Sequence, residues 1–265
     1  MAEPLSIHYG KDAVSFYRTD DAANLFAADV ELVLHGDVFL PSYTEGDNSM
    51  VVATDSMKNF IHRAALRFSG ESLEDFLVEA GERFLERYEH VDALELRGLE
   101  TVFARRVGGV LQRLHDDHGI VEMSLYRGGE RLERSGLHGL QLVKLSGSSF
   151  AGFVRDEYTT LPEAWDRPLF VHLNVGWRHA DFDRRVASEA VRDSVIATFD
   201  DFVSASIQHL VHEMGVRALD RFPEIEEIEF DGQNRLWDTA RSAEGVAVYT
   251  DARPPFGVIH LTLRR

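Results

Sequence analysis

Two pairs of amphipathic helices, each set between strands, constrain this 265-residue chain more than any other feature. In the first pair, Met57, Phe60, Ile61, Ala64, Ala65 and Phe68 fall at i, i+3, i+4, i+7, i+8 and i+11. That spacing draws one apolar face along a helix, with Thr54, Asp55 and Ser56 as cap candidates at its start. The companion helix begins at Ser72 and carries Leu73, Phe76, Leu77, Ala80, Phe84 and Tyr88 on one side. A helix with a single apolar stripe must bury it against another layer. Alternation predicts strands over 5–17 and 29–41 before the pair, and over 91–106 and 119–126 after it.

The second half repeats that order. Strands are expected over 137–153 and 168–178, then a helix over 183–197 whose stripe runs through Val191, Val195 and Phe199. A second helix over 207–219 turns Ile207, Leu210, Val211, Met214 and Ala218 one way, and strands over 225–230 and 257–263 close the chain. No residue-level repeat accompanies this; the duplication lies in element order alone. The expectation is an α+β protein of two ββααββ units, 1–130 and 131–265, with antiparallel sheets carrying helices on one face. The units meet at the polar, glycine-rich stretch 127–136, RGGERLERSG.

Composition excludes several functions. With no cysteine there is no disulfide, thiolate metal site or cysteine nucleophile. A formal charge of −17 disfavours nucleic acid and anionic lipid as partners. No apolar run is long enough to span a bilayer, and neither end carries a signal peptide or peroxisomal tripeptide, so the expected location is cytoplasmic. Two metal-like patterns fail on inspection. His115-Asp116-Asp117-His118 falls in a polar turn, and His209 with His212 and Glu213 matches neither metalloprotease order, so no metal is expected.

The chemistry concentrates in 150–167, FAGFVRDEYTTLPEAWDR. Thr160-Leu161-Pro162-Glu163 has the form of a capping box and predicts a short helical turn. Phe150 and Arg167 flank it. A flat ring face with a guanidinium fork suits a planar anionic heterocycle, one by stacking and the other by bidentate hydrogen bonding. Singly, these residues have ordinary readings: Phe150 as core, Arg167 paired with Asp166 or Glu163, Gln208 as a solvated helix end.

The segments YGKDAV (9–14), YTEGDNSMVVATDSMKN (43–59), SFAGFVRDEYTTLPEAWDR (149–167) and DARPPFGVIHLTLRR (251–265) resemble those of urate oxidase, the cofactor-independent uricase family. The resemblance implies a tandem T-fold assembling as a tetramer around a tunnel, with active sites between subunits. It implies oxidation of urate by dioxygen to 5-hydroxyisourate with release of hydrogen peroxide, using no cofactor. By the same resemblance Phe150 stacks on the purine, Arg167 and Gln208 grip its edge with the Ile207 backbone, and Leu161 lines the pocket. Thr54 and Asp55 reach in from a neighbouring subunit. Asn234 and Thr54 hold dioxygen, while Lys11 hydrogen-bonds Thr54 and serves a proton relay. One position departs: the family's relay histidine, two residues after the asparagine, is Leu236 here. Either Lys11, Thr54 and water suffice, or another histidine enters, or the substrate is a substituted oxopurine. A non-catalytic T-fold binder of purine or pterin is the further alternative.

Overall fold

Strand β1 (His8–Thr19) opens the first of two units and runs antiparallel to β2 (Leu25–His35). The computed structural model describes residues 6–20, 24–70, 72–114 and 117–265. The chain divides into Met1–Ser135 and Gly136–Arg265. After β2 a 3₁₀ turn over Asp37–Phe39 leads into the short helix α1 (Leu40–Thr44), with a proline in its first turn. The strand expected over 29–41 therefore stops at His35, where Gly36 takes a φ of 144° that a side chain would oppose. Helices α2 (Thr54–Arg67) and α3 (Leu73–Arg87) follow, then β3 (Ala93–Glu100), the small hairpin β4 (Phe103–Arg105) and β5 (Leu111–Arg113), and β6 (His118–Tyr126). The main strands of this unit lie in the order β1-β2-β3-β6.

The burial pattern explains the arrangement. Val30, Leu32 and Leu34 alternate inward on β2, as do Leu94 and Leu96 on β3 and Val121, Met123 and Leu125 on β6. They meet Met57 and Ile61 of α2 and Phe76, Leu77, Ala80 and Phe84 of α3 in one core. Helix α3 sits so close to the sheet that a Cβ on Gly81 would lie 2.4 Å from a Leu125 methyl. Phe84 is fully buried, with its ring 5.0 Å from Phe60 and 4.6 Å from Tyr88. Phe84→Ala is expected to lower unfolding free energy by about 3–5 kcal/mol, since the hole cannot collapse between helix and sheet. Chemical denaturation of the purified variant checks this.

Strand β7 (Arg131–Lys144) runs across the division, entered through a turn in which Tyr126 N–H donates to Glu130 O. The second unit continues with β8 (Leu169–His179), α4 (Ser188–Asp201), α5 (Ile207–Arg221), β9 (Ile225–Asn234), the hairpin β10 (Asp238–Ala243) and β11 (Val246–Thr250), and β12 (Gly257–Arg264). Its order is β7-β8-β9-β12. Val171, Leu173, Val175 and Trp177 of β8 and Ile228 and Phe230 of β9 pack under Val191, Val195, Leu210, Val211 and Met214. The duplication extends to packing: Gly215 of α5 repeats the role of Gly81, with Leu263 2.6 Å from an added Cβ.

Further details differ from the sequence reading. Helix α4 begins at Ser188 rather than 183, because Asp181 accepts the Asp183 N–H and holds a turn there. Residues 145–153 leave the strand and join the loop of the site described below. The hairpins β4–β5 and β10–β11 carry no clear alternation in sequence. No helix of the described residues is long and apolar enough to cross a membrane.

Candidate active site

The segment 150–167 forms no helical turn. Phe150 and Ala164 pair as an antiparallel bridge, exchanging N–H···O bonds of 2.7 and 3.0 Å. The Glu163 carboxylate accepts from Gly152 N–H at 2.9 Å rather than reaching back to Thr160. The loop is tied down through the backbone of Phe150 and Ala164 instead of through a cap. A parallel bridge between Ser148 and Ser204 ties the loop to the chain leading into α5.

Arg167 forms neither of the ion pairs of its ordinary reading, with Asp166 or with Glu163. The Asp166 carboxylate accepts from Gly147 N–H at 2.7 Å, and that of Glu163 is taken by Gly152. The Arg167 backbone is fixed by its N–H donating to Ser148 O at 2.9 Å. Its guanidinium stands 5.5 Å from the centroid of Phe150, and its Nε is buried with no hydrogen-bond partner. Burial pulls its pKa below the ordinary arginine value, which is what a cation stripped of water and lacking a counter-charge should show. The Phe150 ring is itself stacked by Phe153 at 4.8 Å and 13°.

Phe150 and Arg167 line a cavity of about 150 Å³ together with Leu161, Ile207, Gln208, Asn234 and Leu236. Ile207 and Gln208 are the first two residues of α5, whose cap Ser206 accepts from His209 N–H at 3.1 Å. Their own N–H groups belong to the first turn and have no partner within the helix, at its positive end. Asn234 ends β9, held in register between Val171 and Gly257. Its Oδ1 is buried and unpartnered. Gly257, Val258 and Ile259 complete the wall. They went unassigned in sequence because only the β12–β9 register brings them there. Leu236 presents its apolar side chain to this wall, and among the described residues no histidine lines the cavity.

The first unit carries the remaining expected residues. Lys11 lies on β1 just before a β-bulge, where register shifts between Lys11 and Val14 and Ala13 adopts a φ of 56°. Bulges re-aim neighbouring side chains. Gly10 is forced, since a Cβ there would lie 2.1 Å from Leu32 O. Tyr9 accepts from Val52 N–H at 2.8 Å and so ties β1 to the segment leading into α2. Thr54 is not a cap: the cap position is Ala53, with no side-chain bond. Both Thr54 and Asp55 are exposed. Asp55 accepts from Lys58 Nζ at 2.6 Å and Asn59 Nδ2 at 2.9 Å. Its pKa is lowered first by the Lys58 hydrogen bond, with the charge of Lys11 contributing. No hydrogen bond joins Lys11 and Thr54.

Of the metal-like patterns, His115 and Asp116 lie outside the described residues, and His209 Nδ1 accepts from Ala205 N–H at 3.4 Å. Sequence reasoning passed over Glu229, Asp231 and His260, whose ligand atoms lie within 4.8 Å of one another among the described residues. Glu229 and Asp231 sit on the face of β9 opposite the helices, His260 lies across from Asp231 on β12, and His260 Nδ1 is engaged with Asp231 at 2.8 Å.

An aromatic face, a guanidinium without an ion pair, first-turn helix N–H groups and an unpartnered amide oxygen thus line one pocket of a duplicated α+β chain, a set that can stack and hydrogen-bond a flat anion. A family model described as Uricase matches residues 7–117 and 133–260. The uric acid degradation bifunctional protein of Bacillus subtilis is 40% identical over 263 residues, covering 89% of this chain and 53% of the relative. The chain thus spans about half the length of the bifunctional relatives it matches. A uricase of Haloferax volcanii is 37% identical over 89% of this chain and 90% of its own. A crystal structure of urate oxidase from Bacillus sp. TB-90 superposes with a TM-score of 0.91 at 35% identity, covering 98% of this chain and 100% of that one. The chain belongs to the uricase family, and its tandem α+β fold is that of solved urate oxidases.

Proposed function

We propose that this chain oxidises urate, with dioxygen and water as the other reactants, to 5-hydroxyisourate and hydrogen peroxide, with no cofactor of its own, as a step of purine breakdown. The observation that carries this is the pair of buried, unpartnered atoms, Arg167 Nε and Asn234 Oδ1, in one cavity beside Phe150. Urate stacks on Phe150 and is held along one edge by Arg167, the Gln208 side chain and the Ile207 N–H. Asn234 and Thr54 hold dioxygen over the ring. Deprotonated urate is electron-rich, so two electrons pass from the ring to dioxygen, and water adds at the oxidised carbon. The protein's part is to bind the anion, take a proton and fix the geometry. With Leu236 at the relay position, proton transfer rests on Lys11, Thr54 and ordered water. The relatives' names favour neither a substituted oxopurine nor a non-catalytic role.

The cavity of about 150 Å³ falls below the ~300–1,000 Å³ of a complete ligand site, which fits half a site. The loop bearing Phe150 and Arg167 also leaves Val154 88%, Tyr158 83% and Trp165 78% exposed. Large apolar side chains massed on one loop mark a contact surface. A second copy covers them and brings Lys11, Thr54 and Asp55 to the pocket, within an assembly of four chains. The test is urate and protein in air-saturated buffer. Loss of urate absorbance with one peroxide per urate, abolished without oxygen, is the expected result. Tight urate binding with no peroxide would overturn the reading.

A further inference from the structure

Outside that site, the first unit holds a groove of about 820 Å³ along α2 and α3, within the ~300–1,000 Å³ range of small-molecule sites. Arg63 and Arg67 line it from α2 and Arg83 and Arg87 from α3, with Ser56, Asn59, Phe60 and Tyr88. Each arginine pair is spaced i, i+4, which sets like charges about 5–6 Å apart at Cβ and destabilises both helices. Only Arg83 is relieved, by Glu79 at 2.8 Å. Arg87 stands 5.6 Å from the Tyr88 ring. Arg63, Arg67 and Arg87 form no ion pair with a carboxylate among the described residues, although Glu86 shares the groove.

That is unexpected in a chain with 45 acidic and 28 basic side chains. Elsewhere arginines find partners readily: Arg178 and Arg264 share Glu227, Arg217 takes Asp201 and Glu213, and Arg184 takes Glu224. Helix dipoles account for Arg67 and Arg87, which lie in the last turns. They do not account for Arg63 and Arg83 one turn earlier. Free guanidinium forks facing one groove match the oxygens of phosphate groups bidentately.

We propose that this α2–α3 groove binds a small polyanion of the polyphosphate class, separately from the urate pocket. The probe is inorganic tripolyphosphate, titrated calorimetrically into the assembled protein at fixed ionic strength. One saturable site per chain is expected, with chloride at equal ionic strength giving no saturation. Arg63→Gln/Arg67→Gln should weaken binding at least about tenfold through loss of two charge-assisted contacts. Arg241→Gln/Arg253→Gln, which removes the same charge elsewhere, should leave binding unchanged, and so should Arg167→Gln. Absence of saturable binding would overturn the proposal, as would equal loss in both double variants or loss in Arg167→Gln. So would a change in oligomer size in Arg63→Gln/Arg67→Gln, which would assign the groove to an acidic segment of a second copy.

Discussion

Arg167→Gln is expected to lower kcat/KM for urate by about 10²–10³-fold with the fold intact. The guanidinium has no ion pair to lose: its neighbours Asp166 and Glu163 are committed to Gly147 and Gly152. Removing it breaks no scaffold contact except its layer over Phe150. What is lost is a charge-assisted, two-pronged hold on an anion. Contacts to a charged group are worth about 1.5–3 kcal/mol each, and about 1.4 kcal/mol is tenfold in rate. Arg167→Lys should recover little, because an ammonium presents a point charge where a fork is needed. Steady-state peroxide release measures both variants, and thermal unfolding confirms their folding. Wild-type kcat/KM in Arg167→Gln would remove the arginine from the site.

Lys11→Ala is expected to lower kcat by about 10²–10⁴-fold, the usual worth of a positioned proton-transfer group, with KM changed far less. The split distinguishes it from Arg167, whose loss falls on binding as well. Among the described residues no histidine lines the second unit's cavity, and Leu236 cannot move a proton. On the proposed reading the relay rests on this lysine, with Thr54 and water. Unchanged turnover in Lys11→Ala would make the relay assignment wrong.

Much of this was legible in the sequence because helix periodicity is local. The stripe from Met57 to Phe68 and the one from Ile207 to Ala218 needed only their own spacing, and both emerged as α2 and α5. The pocket wall was legible only in part. Phe150 and Arg167 suggested a site by flanking one segment together and Asn234 entered through the family resemblance, but Val258 and Ile259 reach the cavity through the β12–β9 register, which no local pattern encodes. The loop 150–167 was misread as a helical turn for the same reason. Its backbone partners are Ala164 for Phe150 and Ser204 for Ser148, and the second lies 56 residues away. Two carboxylates that seemed placed to neutralise Arg167 turned to backbone N–H groups, and that leaves the cation free for a ligand. The bulge after Lys11 is equally silent in sequence, since Asp12 and Ala13 carry no glycine to mark it.

The central claim is that one chain's first unit and another's second unit make each working site. Mixing Lys11→Ala and Arg167→Gln chains, each nearly inactive alone, by co-expression measures it most directly. Random assembly should restore about a quarter of wild-type turnover, the share of seams that unite two intact halves. Mixed assemblies that form and stay as inactive as their parents would contradict the account.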